Sequence, residues 1–174
     1  MIHAIVVTQF SKMLNNLLAI LGEAEKFAAE KKVDTAILLQ ARLAPDQFSL
    51  VQQIRTACDT AKMGAARLAG RDKDVPVHED KEQTLAEIRA RIESVTAYLK
   101  GFSPDAFAGA VERRITQPRW AGKTLSGQEF LVQHVIPNFY FHATTAYAIL
   151  RHNGVVIGKR NYLGDMPYRE AAAA

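Results

Sequence analysis

Cysteine occurs once in the 174 residues, at Cys58. That excludes an internal disulfide and any cysteine-rich metal centre, and it suits a reducing cytoplasm. Glycine (10) and proline (6) are scarce, while Ala, Leu, Glu, Lys and Arg abound, which tilts the expectation towards helices. No uninterrupted apolar run approaches the roughly 20 residues needed to cross a bilayer. Met1-Ile2-His3-Ala4 supplies no basic leader and Lys12 interrupts the apolar stretch after it, so neither a membrane span nor a signal peptide is expected. Also missing are Gly-x-Gly-x-x-Gly, a full Gly-x-x-x-x-Gly-Lys-Ser/Thr loop, Gly-x-Ser-x-Gly and His-Glu-x-x-His. Nucleotide-fold, serine-hydrolase and zincin chemistry therefore have no motif behind them.

What is present resembles an average globular chain: 48% hydrophobic and 23% charged residues, in a length that fits one compact domain. The expected domain spans residues 1–164, with a tail over 165–174 in which Ala171 to Ala174 close the chain. The net charge is +4, and its surplus lies wholly beyond residue 99. Arg113, Arg114, Arg119 and Lys123 gather there around Trp120. A basic group beside an aromatic ring suits phosphate and base contacts. These residues sit in a short turn-rich segment, however, and not in a stripe along one element. The expectation is a solvated loop whose Trp packs on the fold, and no nucleic-acid partner.

Apolar residues recur at helical steps in four long stretches. Val6, Phe10, Met13, Leu14, Leu17, Leu21, Ala24 and Ala28 mark a helix from about His3 to Lys31. Asp34 is the expected cap of a short turn, Thr35 to Gln40. Val51, Ile54, Cys58, Ala61, Ala65 and Leu68 mark a second helix, about Asp46 to Ala69, closed by Gly70 and carrying a polar line of Gln52, Arg55, Asp59 and Lys62. Leu85, Ile88, Ile92, Val95 and Leu99 mark a third, about Asp80 to Gly101. Residues 112–125 suit a short irregular hairpin. Ser126-Gly127-Gln128-Glu129 is a capping box that opens a fourth helix running to Asn153, with a kink or restart at Pro137. Val155 to Ala174 is expected to be mostly irregular. Four such segments with modest connections make an all-α four-helix bundle.

Several strings carry a resemblance: Ala41-Arg42-Leu43-Ala44-Pro45-Asp46, Asp59-Thr60-Ala61-Lys62, Ala66-Arg67-Leu68-Ala69-Gly70, Pro137-Asn138-Phe139-Tyr140-Phe141-His142, the stretch from Thr145 to Gly154, and Gly158-Lys159-Arg160. The chain resembles a bacterial family, a numbered domain of unknown function, within the DinB/YfiT-like superfamily of four-helix bundles. The resemblance implies the bundle, a cytosolic protein and a homodimer. Relatives in the wider superfamily often hold a divalent metal through one His of the second helix and a His-x-x-x-His pair of the fourth. Some are thiol-dependent transferases or hydrolases. Here the second helix has no His, and the fourth has His134 and His142 with Asn138 midway. Eight residues rise about 12 Å along a helix, beyond the reach of one shared ion.

The candidate site residues are Asp59, His134, Asn138, His142 and Tyr147, a polar set expected to face the bundle core. They would either line a small-ligand pocket or form a satisfied hydrogen-bond network that fixes register. Asp59 is equally the ion-pair partner of Arg55 or Lys62. Cys58 falls on the apolar stripe, as a small hydrophobe would. No cofactor is expected. The alternative is a divalent metal such as Zn, Ni or Mn held by Asp59, Asn138 and His142, serving a metal- or thiol-dependent transferase. Phe139, Tyr140 and Phe141 make the fourth helix apolar almost all round, as expected of a helix that also meets a second copy.

Overall fold

The apolar stripe from Val6 to Ala28 runs through one continuous helix, but that helix is not uniform. In a computed structural model describing residues 1–170, Ala4–Gln9 is wound as a π turn and α1 (Phe10–Lys31) continues it without a break. Every residue of the expected stripe is buried. This stretch is also long and apolar enough to cross a membrane, yet half of its most apolar window lies inside the bundle. Lys32 ends it in the left-handed conformation, with φ 55°. The Asp34 carboxylate then accepts from Ala36 N–H at 2.8 Å and starts α2 (Thr35–Gln40).

The next two helices begin later than periodicity suggests. α3 (Leu50–Ala69) starts four residues after Asp46, where the Ser49 N–H donates to Gln52 Oε1 at 3.1 Å. It ends at Gly70, whose φ of 69° suits a residue without a Cβ. α4 (Leu85–Lys100) starts five residues after Asp80, under a capping box between Thr84 and Glu87. Asp80 itself has φ 58°, which no helix interior tolerates. The apolar stripes of both helices are buried as expected, Cys58 included.

After a 3-10 turn at Pro104–Phe107, β1 (Arg114–Ile115) pairs antiparallel with β2 (Leu125–Ser126), the hairpin anticipated over 112–125. The Ser126–Glu129 capping box opens α5 (Gly127–Phe130), as expected. The chain then passes through a π stretch, Leu131–Val135, into α6 (Ile136–His152). The π stretch resolves the choice between kink and restart at Pro137. Proline has no N–H to close on the Gln133 carbonyl, and one widened turn just before it absorbs the missing bond. Residues 155–170 are less irregular than expected, because α7 (Lys159–Leu163) folds back on α1 through Asn16 Nδ2–H to Tyr162 O at 2.9 Å. The expected Ala171 to Ala174 tail lies outside the described residues.

Contacts fix the helix directions. His3 meets the Phe102 carbonyl and Glu25 meets Arg89, so α1 and α4 are antiparallel. Gln53 meets His142 and Thr60 meets Asn138, so α3 and α6 are antiparallel too. Phe10 stacks on Phe139 with centroids 4.0 Å apart, while Phe27 lies against Gly154, so α1 and α6 run the same way. Hence α3 and α4 are parallel, and the chain between them must return along the bundle. Residues 71–84 do so as a strap over α3: Pro76 O accepts from Lys62 Nζ at 3.0 Å and Glu82 Oε2 from Arg55 Nε at 2.7 Å.

Candidate functional site

α3 and the π stretch meet at Gly64. A Cβ there would fall 2.7 Å from Val135 Cγ1, so a larger residue must displace the Val135 side chain. Beside this contact lies a cleft of about 220 Å³. Asp59, Thr60, Met63 and Arg67 form its α3 wall, His134, Val135 and Asn138 the opposite wall, and Gln117 and Arg119 the hairpin side.

The polar atoms in these walls are unequally served. Asn138 Nδ2–H donates to Thr60 Oγ1 at 2.6 Å, and Thr60 passes its own proton to Thr56 O at 2.7 Å. His134 Nε2 accepts from the Arg119 guanidinium at 2.6 Å. A guanidinium can only donate, so the neutral ring carries its proton on Nδ1, and that buried atom has no partner among the described residues. Burial first, then Arg119 and Arg67, hold the His134 pKa below its ordinary value. Gln117 is only 8% exposed, and its Nε2 is likewise unpartnered. Trp120 packs edge-on against Phe130 and His134 at 6.0 and 5.6 Å, the place expected for it.

His142 and Tyr147 lie elsewhere, and the expected network linking Asp59, His142 and a tyrosine does not form. The register of α3 against α6 sets His142 opposite Gln53, where Nδ1–H donates to Gln53 Oε1 at 2.6 Å. Burial holds this imidazole, too, below its ordinary pKa. Tyr147 packs against Tyr162 of α7, 5.7 Å between centroids, and is not among the residues lining the cleft. Asp59 reaches the cleft but bonds sideways to Lys62 Nζ at 2.9 Å and to Arg91 of α4 at 2.8 Å. Lys62, on the polar line of α3, is buried under the strap against Pro76 O and His78 Nδ1. Arg91 is also buried and gathers Asp80 and Glu82 of the strap. Although burial opposes its charge, these three carboxylates hold its pKa above the ordinary value. Cys58, fully buried, has its thiol pushed up to about 12, chiefly by desolvation, and is no nucleophile.

The family described as "Domain of unknown function (DUF1993)" matches residues 2–163. The chain belongs to the DUF1993 family. A solved DinB family member from Shewanella denitrificans is 58% identical, superposes with a TM-score of 0.95, and shares 97% of this chain and 95% of its own. No curated protein matches. The DUF1993 chain is thus a DinB/YfiT-like helical bundle.

The DinB/YfiT-like resemblance raises a divalent metal, and the residues present do not fit one. Of the alternative set, Asp59 and Asn138 share the cleft, but Asp59 is taken by two cations and Asn138 by Thr60, while His142 lies outside it against Gln53. His134 and Asn138 share the cleft at the four-residue spacing, but the one imidazole there faces a guanidinium, which repels a cation. Among the described residues no group of three or more His, Cys, Asp or Glu could hold an ion. Arg67 and Gln117 were missed as site residues in the sequence. Arg119 stood out only as part of the basic group around Trp120, and nothing local connects it to His134, fifteen residues on.

Proposed function

We propose that this DUF1993 chain is a cytoplasmic small-ligand-binding or accessory bundle whose site is the cleft between α3 and the π stretch, working without a metal. One observation supports it most: a single cavity collects Asp59, His134 and Asn138, three of the five candidates, beside polar atoms that have no partner among the described residues. Its 220 Å³ equals the liquid volume of about seven waters at ~30 Å³ each, room for a compact metabolite. His142 and Tyr147 act in this reading as packing and register residues. Amide NMR of the labelled protein against a fragment panel tests it. Hits should move resonances of Thr56 to Arg67 and Leu131 to Asn138. Hits confined to other faces, or none, would dismiss the cleft.

We propose also that two copies pair, as the aromatic run after Pro137 suggests. Phe139 is consumed by the core, but Phe141 (59% exposed) and Phe48 (48% exposed) both lie against His142 and form an apolar outer patch.

A further inference from the structure

We infer that the ligand of this cleft is a small dianion carrying its charge on oxygens, gripped between Arg67 and Arg119. The inference rests on the cleft being a binding site and adds what it binds. Arg67 is half-buried, and among the described residues it makes no hydrogen bond and no ion pair. Among the described residues Arg119 bonds only to the His134 imidazole. The one carboxylate in the walls, Asp59, is already held by Lys62 and Arg91. Two guanidinium groups therefore share one cleft with no carboxylate bonded to either among the described residues. Burial pulls the Arg67 pKa down, Asp72 opposes it, and Arg119 adds a smaller downward push.

The hydrogen-bonding balance points the same way. Gln117, more than nine-tenths buried, leaves its Nε2–H donors unused. Arg67 adds a full guanidinium fork. Thr60 Oγ1 already accepts from Asn138, and His134 Nε2 from Arg119. A wall that carries two guanidinium groups and a buried amide N–H without a partner among the described residues suits a ligand that accepts. A planar fork matches the paired oxygens of a carboxylate or phosphate better than any other common group. Met63, Phe130 and Val135 complete the lining and leave space for a short carbon skeleton between the charged ends.

The test is an NMR-detected titration at low ionic strength with succinate, inorganic phosphate, and the uncharged dimethyl succinate. Succinate or phosphate should shift the cleft amides and bind at least tenfold tighter than the ester. The tighter of the two dianions tells a dicarboxylate source from a phosphate source. Arg67→Gln and Arg119→Gln should each weaken that binding at least tenfold. Without ligand, Arg67→Gln should melt close to the parent, since Arg67 makes no hydrogen bond or ion pair among the described residues and the variant loses an attraction to Asp72 together with a repulsion from Arg119. An ester that binds the cleft as tightly as the dianions would overturn the charge assignment while leaving the cleft a binding site. Cleft amides that respond to nothing would overturn both. An Arg67→Gln protein that melts lower yet binds succinate as well as the parent would make Arg67 structural and end the proposal.

Discussion

Arg91→Met severs the tie that holds the strap to the bundle. The side chain is 1% exposed and faces three carboxylates, whose side chains are 38% (Asp59), 58% (Asp80) and 12% (Glu82) exposed. Asp59 and Asp80 keep water contact, so losing Arg91 costs each at most about 1 kcal/mol. Glu82 is the expensive partner, although Arg55 stays beside it. Breaking a buried pair usually costs about 3–5 kcal/mol, and the remaining Arg55 reduces that to roughly 2–4. For a chain of this size that lowers Tm by about 4–16 °C. Asp59→Ala should cost less than about 1 kcal/mol, because Lys62 keeps Pro76 and His78, and Arg91 keeps the two strap carboxylates. Urea melts followed by far-ultraviolet circular dichroism compare the two variants, and hydrogen exchange over residues 76–84 locates the damage. An Arg91→Met loss under about 1 kcal/mol, or an Asp59→Ala loss above about 2, would refute this account of the network.

Gly64→Ala should destabilise by about 1–3 kcal/mol, because its new methyl must displace Val135. Gly127→Ala should be worse, its Cβ falling 1.7 Å from the Ala110 carbonyl oxygen; thermal melts rank the two. His78, His134 and His142 all have pKa values below the ordinary 6.5 in the fold. The unfolded chain then binds protons more readily, so stability is full above about pH 6.5 and falls as pH drops through the folded values. A Tm that failed to rise between about pH 5 and pH 7 would contradict this. Glu82 adds to the loss below pH 4.5: burial raises its pKa, but the hydrogen bonds it accepts and the charges of Arg91 and Arg55 together outweigh that. Light scattering at micromolar concentration should report twice 19.3 kDa, and Phe141→Ser should shift the population to monomer; a monomeric parent would exclude pairing. Elemental analysis after dialysis against Zn²⁺, Mn²⁺ or Ni²⁺ should find well under one equivalent. A full equivalent lost on His134→Ala would reverse the metal assignment.

The helices were legible because burial is periodic. Leu85, Ile88, Ile92, Val95 and Leu99 announce a face whatever lies opposite. Pro45-Asp46 and Asp80 point to starts for α3 and α4 that lie four and five residues too early. Ser49–Gln52 and Thr84–Glu87 carry the capping signal in the sequence itself, as Ser126–Glu129 does. The site was half legible. His134 and Asn138 share a face by spacing alone. Asp59 and His142, however, were joined on the supposition that polar residues on two apolar faces must meet, and a register shift of six residues along α3 separates them. Asp59 to Arg91 and His134 to Arg119 are matters of topology: a parallel α3–α4 pair and a folded hairpin, neither of which leaves a local trace.

Cys58 turns the heart of α3 into a clock. Its sulfur has no exposure, and its thiol is almost wholly protonated at neutral pH, so a thiol-reactive dye meets no thiolate until the bundle opens. Labelling under native conditions then counts openings, with no probe engineered in and no second thiol to confuse the signal. Asp59 and Thr60 come directly after Cys58 and line the cleft. Anything that settles between Arg67 and Arg119 should therefore slow the alkylation of a sulfur it never touches, by the same factor that it stabilises the closed bundle.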